Sequence, residues 1–149
     1  MSVFDHIISG DIPASFVYRD ELCVAFLDIR PMSPGHVLVV PRVVVGTLSE
    51  LDKATLAHLW QAAVRVGGAQ RAGLGSLAQH FLVNDGREAS QSVPHVHIHV
   101  IPRYRGDRWR TVSRMMWHVA TMGRFLGEND ARRAQLEWQA QAIAAAMTR

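Results

Sequence analysis

The chain has 149 residues, 48% of them hydrophobic, and a formal charge of +3, a balance that suits one compact soluble domain. Its single cysteine excludes an internal disulfide and a cysteine-rich zinc site. No apolar run reaches the roughly 18 residues of a membrane span, and residues 1–10 lack a signal-peptide pattern, so a cytoplasmic protein without membrane contact is expected.

The charge is uneven: residues 1–102 sum to −2 and residues 103–149 to +5, with every basic residue after 102 an arginine. Guanidinium groups suit phosphate and carboxylate, though a solvated basic face explains the bias equally well. Basic and aromatic residues do not interleave as in a nucleic-acid groove, so no nucleic-acid partner is expected.

Residues 3–9 read as a short helix ended by Gly10. Phe16 to Tyr18 and Leu22 to Asp28 read as a hairpin turning at residues 19–21. After a Pro/Gly loop, residues 36–42 form a near-continuously apolar and therefore central strand, with Pro41 at its end. The first long helix is expected over residues 47–73, capped by Thr47 or Ser49, with Leu51, Thr55, Leu59, Ala62, Ala63 and Val66 on its buried stripe and Gly67-Gly68 ending or bending it. A strand in AQHFLVND runs into the loop GREASQSVP. A second strand follows between Pro94 and Pro102. Trp109, Val112, Met116, Val119 and Gly123 stand at helical spacing. Residues 130–147 form the last helix, capped by Asn129 or Asp130, with Leu136, Ala140, Ile143 and Met147 as its stripe. These elements predict an α+β fold: an antiparallel meander sheet with packed helices and a C-terminal helix.

The strand HVHIHV carries the chemistry. Alternation places His95, His97 and His99 on one face and Val96, Ile98 and Val100 toward the core. Histidine has no special strand preference, so three in alternation argue against a merely solvated row. A neutral imidazole can be nucleophile, base or metal ligand. Two chemistries therefore compete: a metal-dependent hydrolase using the three histidines, and phosphoryl or nucleotidyl transfer through a covalent histidine. The preceding loop offers amides and hydroxyls at Asn84, Ser90, Gln91 and Ser92, more a phosphate cradle than the carboxylate shell of a metal site.

HVHIHVI resembles the His-φ-His-φ-His-φ-φ signature of the histidine triad (HIT) family of nucleotide hydrolases and transferases. IISGDIPA, CVAFLDIRPMSPGHVLVVPR and VNDGREASQSVPHVHIHVIPR extend the likeness, in order and spacing, over most of residues 3–103. The resemblance implies one HIT domain over residues 1–149, with the triad core in 1–103 and an arginine-rich extension and helix in 104–149. It further implies that His97 attacks an α-phosphorus, that a backbone carbonyl near His95 orients it, and that His99, Gln91 and Ser92 contact phosphate oxygens. Asn84 would lie near phosphate or ribose, and Asp28 would bind the ribose hydroxyls. Phe4, Ile7, Phe26 and Ile29 would hold the base, and His36 would support the strand. The implied protein is a homodimer acting on a purine nucleotide, adenine first, with no metal or cofactor required. By its motifs the chain stands between the fragile-HIT (dinucleoside polyphosphate) and HINT-like (nucleoside phosphoramidate) subgroups. A nucleotide-binding module with little turnover is the remaining alternative.

Two departures matter. Ser90 stands where the family often has glycine, a source of strain if φ is positive there. Ser2 and Asp5 stand where some bacterial members carry zinc-binding cysteines, so no such zinc is expected. Arg103, Arg105, Arg108 and Arg110 are candidates for contacting distal phosphates of an extended substrate.

Overall fold

The computed structural model describes residues 1–121 and 129–148, apart from the side chains of 118, 119 and 121. The elements are α1 (Val3–Ser9), β1 (Phe16–Arg19), β2 (Cys23–Leu27), β3 (Val37–Pro41), α2 (Lys53–Leu74), β4 (Ala78–Leu82), β5 (Ile98–Arg103), α3 (Arg108–Thr121) and α4 (Asp130–Met147). The strands form one antiparallel sheet in the order β1-β2-β3-β5-β4. The meander runs through β3; the chain then crosses over by α2 to β4, and β5 returns between β3 and β4.

The pleat sorts side chains onto two faces. Ala25, Leu27, Val37, Val39, Ile98 and Val100 form the main core with Leu59, Ala63 and Val66 of α2 and Leu136, Ala140 and Ile143 of α4. The opposite face carries a smaller cluster of Phe4, Val24, Phe26, Leu38 and Val40, with α1 folded over it. Ladder partners put Phe16, Phe26, Leu38 and His99 in one row on this face.

Three local expectations are corrected. The long helix begins at Lys53: Asp52 caps it by accepting from the Thr55 N–H, while Thr47 closes a separate 3-10 turn over Leu48–Glu50. Leu51 between them is extended, so its burial is not part of the helical stripe. Gly67-Gly68 neither ends nor bends the helix, which stops at Gly75 in the left-handed conformation. Here glycine serves close approach: a Cβ on Gly67 would lie 3.2 Å from the Phe81 ring, and one on Gly73 would lie 2.4 Å from the Ala142 carbonyl oxygen of α4. Pro102 lies inside β5, not beyond it. The β3 ladder ends at Val100, so no partner strand needs the N–H that proline lacks, and the Pro102 carbonyl accepts from the Ser33 hydroxyl instead.

The C-terminal helix and its Asn129 cap are as the pattern predicts, with Leu136, Ala140 and Ile143 buried. The apolar spacing of α3 does not mark a buried stripe: Trp109 is 87% exposed, Met116 69%, and Val112 is exposed too. Gly123 and the Val119 side chain fall outside the described residues.

Candidate active site

The site forms where β5 begins, on the face turned away from α2 and α4. Val96, Ile98 and Val100 enter the helix-side core, and the extended chain therefore sends the histidines to the other side. His95, His97 and His99 are 0%, 4% and 5% exposed, which removes the reading as a solvated row. His99 sits in the ladder opposite Leu38 and Leu82. His95 and His97 precede β5, and Val45 accepts from the intervening Val96 N–H.

His97 Nδ1 lies 2.8 Å from the carbonyl oxygen of His95. A carbonyl only accepts, so Nδ1 carries the proton and Nε2 keeps a lone pair. Phe4 presents its ring edge-on at 5.1 Å between centroids, and His99 follows at 4.8 Å. Burial pushes the His97 pKa below the ordinary imidazole value, against weaker upward pulls from the His95 carbonyl contact and the Asp28 charge. The ring is thus held neutral and oriented.

His95 faces the scaffold. Its Nε2 donates to the Pro41 carbonyl at 2.8 Å, and Nδ1 is 3.2 Å from Ser2 Oγ and 3.6 Å from Asp5 Oδ1. Ser2 and Asp5 also form the capping box of α1. His95 therefore serves His97 through its own main chain, anchored by the helix start. That anchor was missed in the sequence, although Ser-x-x-Asp before an apolar run is a legible cap.

His36 is fully buried and acts on His99. The Met32 N–H donates to His36 Nδ1 at 3.1 Å, and His36 Nε2 lies 3.0 Å from His99 Nδ1. Asp28 Oδ2 stands 3.8 Å from His36 Nδ1, too long for a hydrogen bond, so the Met32 N–H decides the His36 tautomer. His36 carries its proton on Nε2 and donates to His99, whose own proton then sits on Nε2. His99 thereby becomes a donor beside the unprotonated His97 Nε2. No sequence pattern reveals the Met32 contribution, because it is main chain.

Asp28, just beyond β2, is buried. Its Oδ1 accepts from the Arg30 N–H at 2.8 Å, and its own N–H donates to the His36 carbonyl, so it caps the turn as well as presenting a carboxylate. Phe4 and Phe26 pack edge to face with Ile7 against them. Ile29, the residue after Asp28, is exposed.

The loop residues are held by bonds within the loop and to Gly46. Gln91 accepts from the Gly86 N–H at 2.9 Å and donates to the Gly46 carbonyl at 2.8 Å, so it braces the loop. Asn84 donates to the Ser90 carbonyl at 3.4 Å. Ser92 is exposed. Ser90 has φ +64°, the only non-glycine with positive φ among the described residues.

The arginines do not gather at the histidines. Arg103 grips Asp107 through three contacts of 2.8 to 3.2 Å and reaches His80 at 2.7 Å. Arg105 and Arg110 line a groove shared with Leu74 of α2 and Trp138 of α4, on the helix side of the sheet. Arg108 is exposed on α3.

The three triad imidazoles do not converge on one point as metal ligands, since His95 is turned to Pro41 and Ser2. Among the described residues, two other groups bring ligand atoms within 4.8 Å of one another: Asp28 with His36 and His99, and Asp20 with Cys23 and His58. In the first, both His36 nitrogens are committed. In the second, Asp20 accepts from Tyr18, His58 and the Leu22 and Cys23 N–H groups. Neither set offers a ready ligand shell.

The HIT domain family model matches residues 9–106. A HIT-like protein of Mycobacterium tuberculosis is 40% identical over 114 residues, spanning 76% of this chain and 79% of the relative. The bifunctional bis(5'-adenosyl)-triphosphatase/adenylylsulfatase of Arabidopsis thaliana is 37% identical over 95 residues, 64% of this chain and 53% of that protein. The structure of a zinc-bound histidine triad family protein from Mycobacterium smegmatis superposes with a TM-score of 0.78 at 33% identity, covering 98% of this chain and 92% of the other. The matched sequence, the shared architecture and the buried row of three histidines lead to one assignment: the chain belongs to the histidine triad (HIT) family.

Proposed function

We propose that the chain is a nucleotide hydrolase or nucleotidyltransferase acting on the α-phosphate of dinucleoside polyphosphates or nucleoside phosphoramidates. The observation that carries this reading is the His97 ring, held by the His95 carbonyl with Nε2 unprotonated and kept neutral by burial.

His97 Nε2 attacks phosphorus and forms an N–P bond. The P–O or P–N bond to the leaving group breaks, and that group departs with the electron pair and takes up a proton. Water then attacks the same phosphorus and gives up a proton to solvent, replacing the one the leaving group took; the N–P bond breaks, the pair returns to Nε2, and a nucleoside monophosphate is released. The His99 Nε2–H stabilises charge on the phosphoryl oxygens. Asp28 accepts from the ribose hydroxyls, Phe4, Ile7 and Phe26 hold an adenine base, and the Ser92 hydroxyl and loop N–H groups contact phosphate. No metal or cofactor enters these steps. Two copies of the chain form the working unit.

A binding module with little turnover is the second reading, favoured by the left-handed Ser90 and the braced Gln91.

Single-turnover mass spectrometry tests both. Wild type and His97→Ala are mixed with an adenylate phosphoramidate and with diadenosine tri- and tetraphosphate. The expected result is an adenylyl adduct on wild type, absent from the variant and unaffected by chelator. Binding without adduct or turnover selects the module; loss of turnover on chelation selects metal chemistry.

A further inference from the structure

A groove of about 260 Å³ lies on the helix side of the sheet, between the Met32–Pro34 segment, the turn after β5, α3 and α4. Arg105, Arg110 and Arg114 line it. None of these guanidiniums has a hydrogen-bond or ion-pair partner among the described residues. The acid in the same wall, Asp107, is consumed: Arg103, the Tyr104 N–H and the Thr111 hydroxyl hold both its oxygens. Like charges brought together without a counter-ion favour binding an anion.

A second observation points inward. Gln139 of α4 is 5% exposed and lines the groove. Its Oε1 accepts from the Gly35 N–H at 3.0 Å, but its amide nitrogen has no partner among the described residues and is not sealed from the cavity. An amide donor open to the groove is met there by water, and a ligand oxygen can take that place.

We propose that this groove is a second ligand site, separate from the histidines, which takes the phosphate or diphosphate group of a small anionic ligand. Forked guanidiniums suit phosphate oxygens, and the Gln139 amide supplies a neutral donor at the floor. The volume lies below the ~300–1,000 Å³ of sites that enclose drug-sized ligands, so the anionic group enters and any attached organic part stays outside, beside the exposed Trp138 ring. The site does not depend on the triad chemistry proposed above.

The test is a titration of the full chain with inorganic pyrophosphate, followed by backbone amide NMR. Wild type, His97→Ala and the triple variant Arg105→Gln, Arg110→Gln, Arg114→Gln are compared. All three arginines are exposed, so the triple variant keeps the fold, checked by circular dichroism. The expected result is shifts in residues 104–114 and 138–139, equal affinity in wild type and His97→Ala, weaker binding at higher salt, and at least a tenfold loss in the triple variant. No binding by wild type at millimolar pyrophosphate, equal binding by the triple variant, or shifts confined to residues 84–99 would each overturn the proposal. Binding of single-stranded RNA or anionic vesicles through these arginines, with pyrophosphate ignored, would overturn it in favour of a macromolecular surface.

Discussion

His36→Ala isolates the part of the site that sets a proton position. The Met32 N–H donates to His36 Nδ1, and His36 Nε2–H donates to His99 Nδ1. Removing the imidazole orphans a buried N–H, which costs about 1–3 kcal/mol, and opens a cavity at a fully buried position. Together these place the loss of stability near ~2–5 kcal/mol. His99 also loses the donor that holds its tautomer. Losing one aimed donor at a reacting centre costs about 10²–10³ in kcat, and a fall of about 10² is expected here because His99 remains present. The rings are read directly by long-range proton–nitrogen correlation NMR: wild type should show His36 and His99 protonated on Nε2 and His97 on Nδ1. Stability is read by urea titration and the chemical step by single turnover. A His99 protonated on Nδ1 in wild type, or a His36→Ala variant with unchanged stability and rate, would refute the relay.

The remaining predictions address strain, titration and the scaffold. Ser90→Gly should stabilise the fold by about 1 kcal/mol: relief of a left-handed non-glycine is worth about 1–2 kcal/mol, partly offset by glycine's unfolded-state entropy. That moves Tm by about 2–4 °C in calorimetry, whereas Ser90→Val should lower it. His97 has a folded pKa depressed below 6.5 by burial, so the unfolded chain takes up the proton first; its contribution to stability is present above 6.5 and is lost as pH falls toward the folded value. The acid limb of kcat/KM should accordingly lie below 6.5, and an acid limb above 6.5 would contradict the burial argument. Asp20 gathers Tyr18, His58 and two backbone N–H groups, and its pKa is held well below the usual carboxylate range by these hydrogen bonds, against a desolvation that acts upward. Asp20→Ala should cost about 1–2 kcal/mol in urea denaturation, because these part-buried and exposed donors lose Asp20 but can partly turn to water. Cys23 is buried, and desolvation with the nearby Asp20 charge pushes its thiol up to about 12; a thiol reagent should label it only after denaturation.

Much of this protein is determined within short windows of sequence. The alternation of HVHIHV puts imidazoles and aliphatic side chains on opposite faces because the strand period is two. The Asn129 cap and the stripe through Leu136, Ala140 and Ile143 mark α4 because a helix repeats every 3.6 residues. Serine at 90, where the family often has glycine, made strain an expectation conditional on a positive φ, and the structure supplies that φ. Other features depend on contacts between distant segments. Gly67-Gly68 reads as a helix end or bend until β4 is packed against Gly67, and the need for glycine at Gly73 shows only once α4 lies against it. Pro102 reads as a strand end until β3 is seen to stop at Val100. The α3 spacing promises a buried stripe, yet only a packing partner turns periodicity into burial, and Trp109 has none among the described residues that buries it. At the site, the three histidines were legible from the strand, and the family resemblance implied their separate parts, but the contacts that fix each ring were not legible. His95 serves through a carbonyl fixed by Ser2 and Pro41, His97 through a free ring nitrogen, and His99 through a proton placed by Met32 and His36. Those roles depend on which nitrogen meets which partner, and the partners arrive from chain positions up to 93 residues apart.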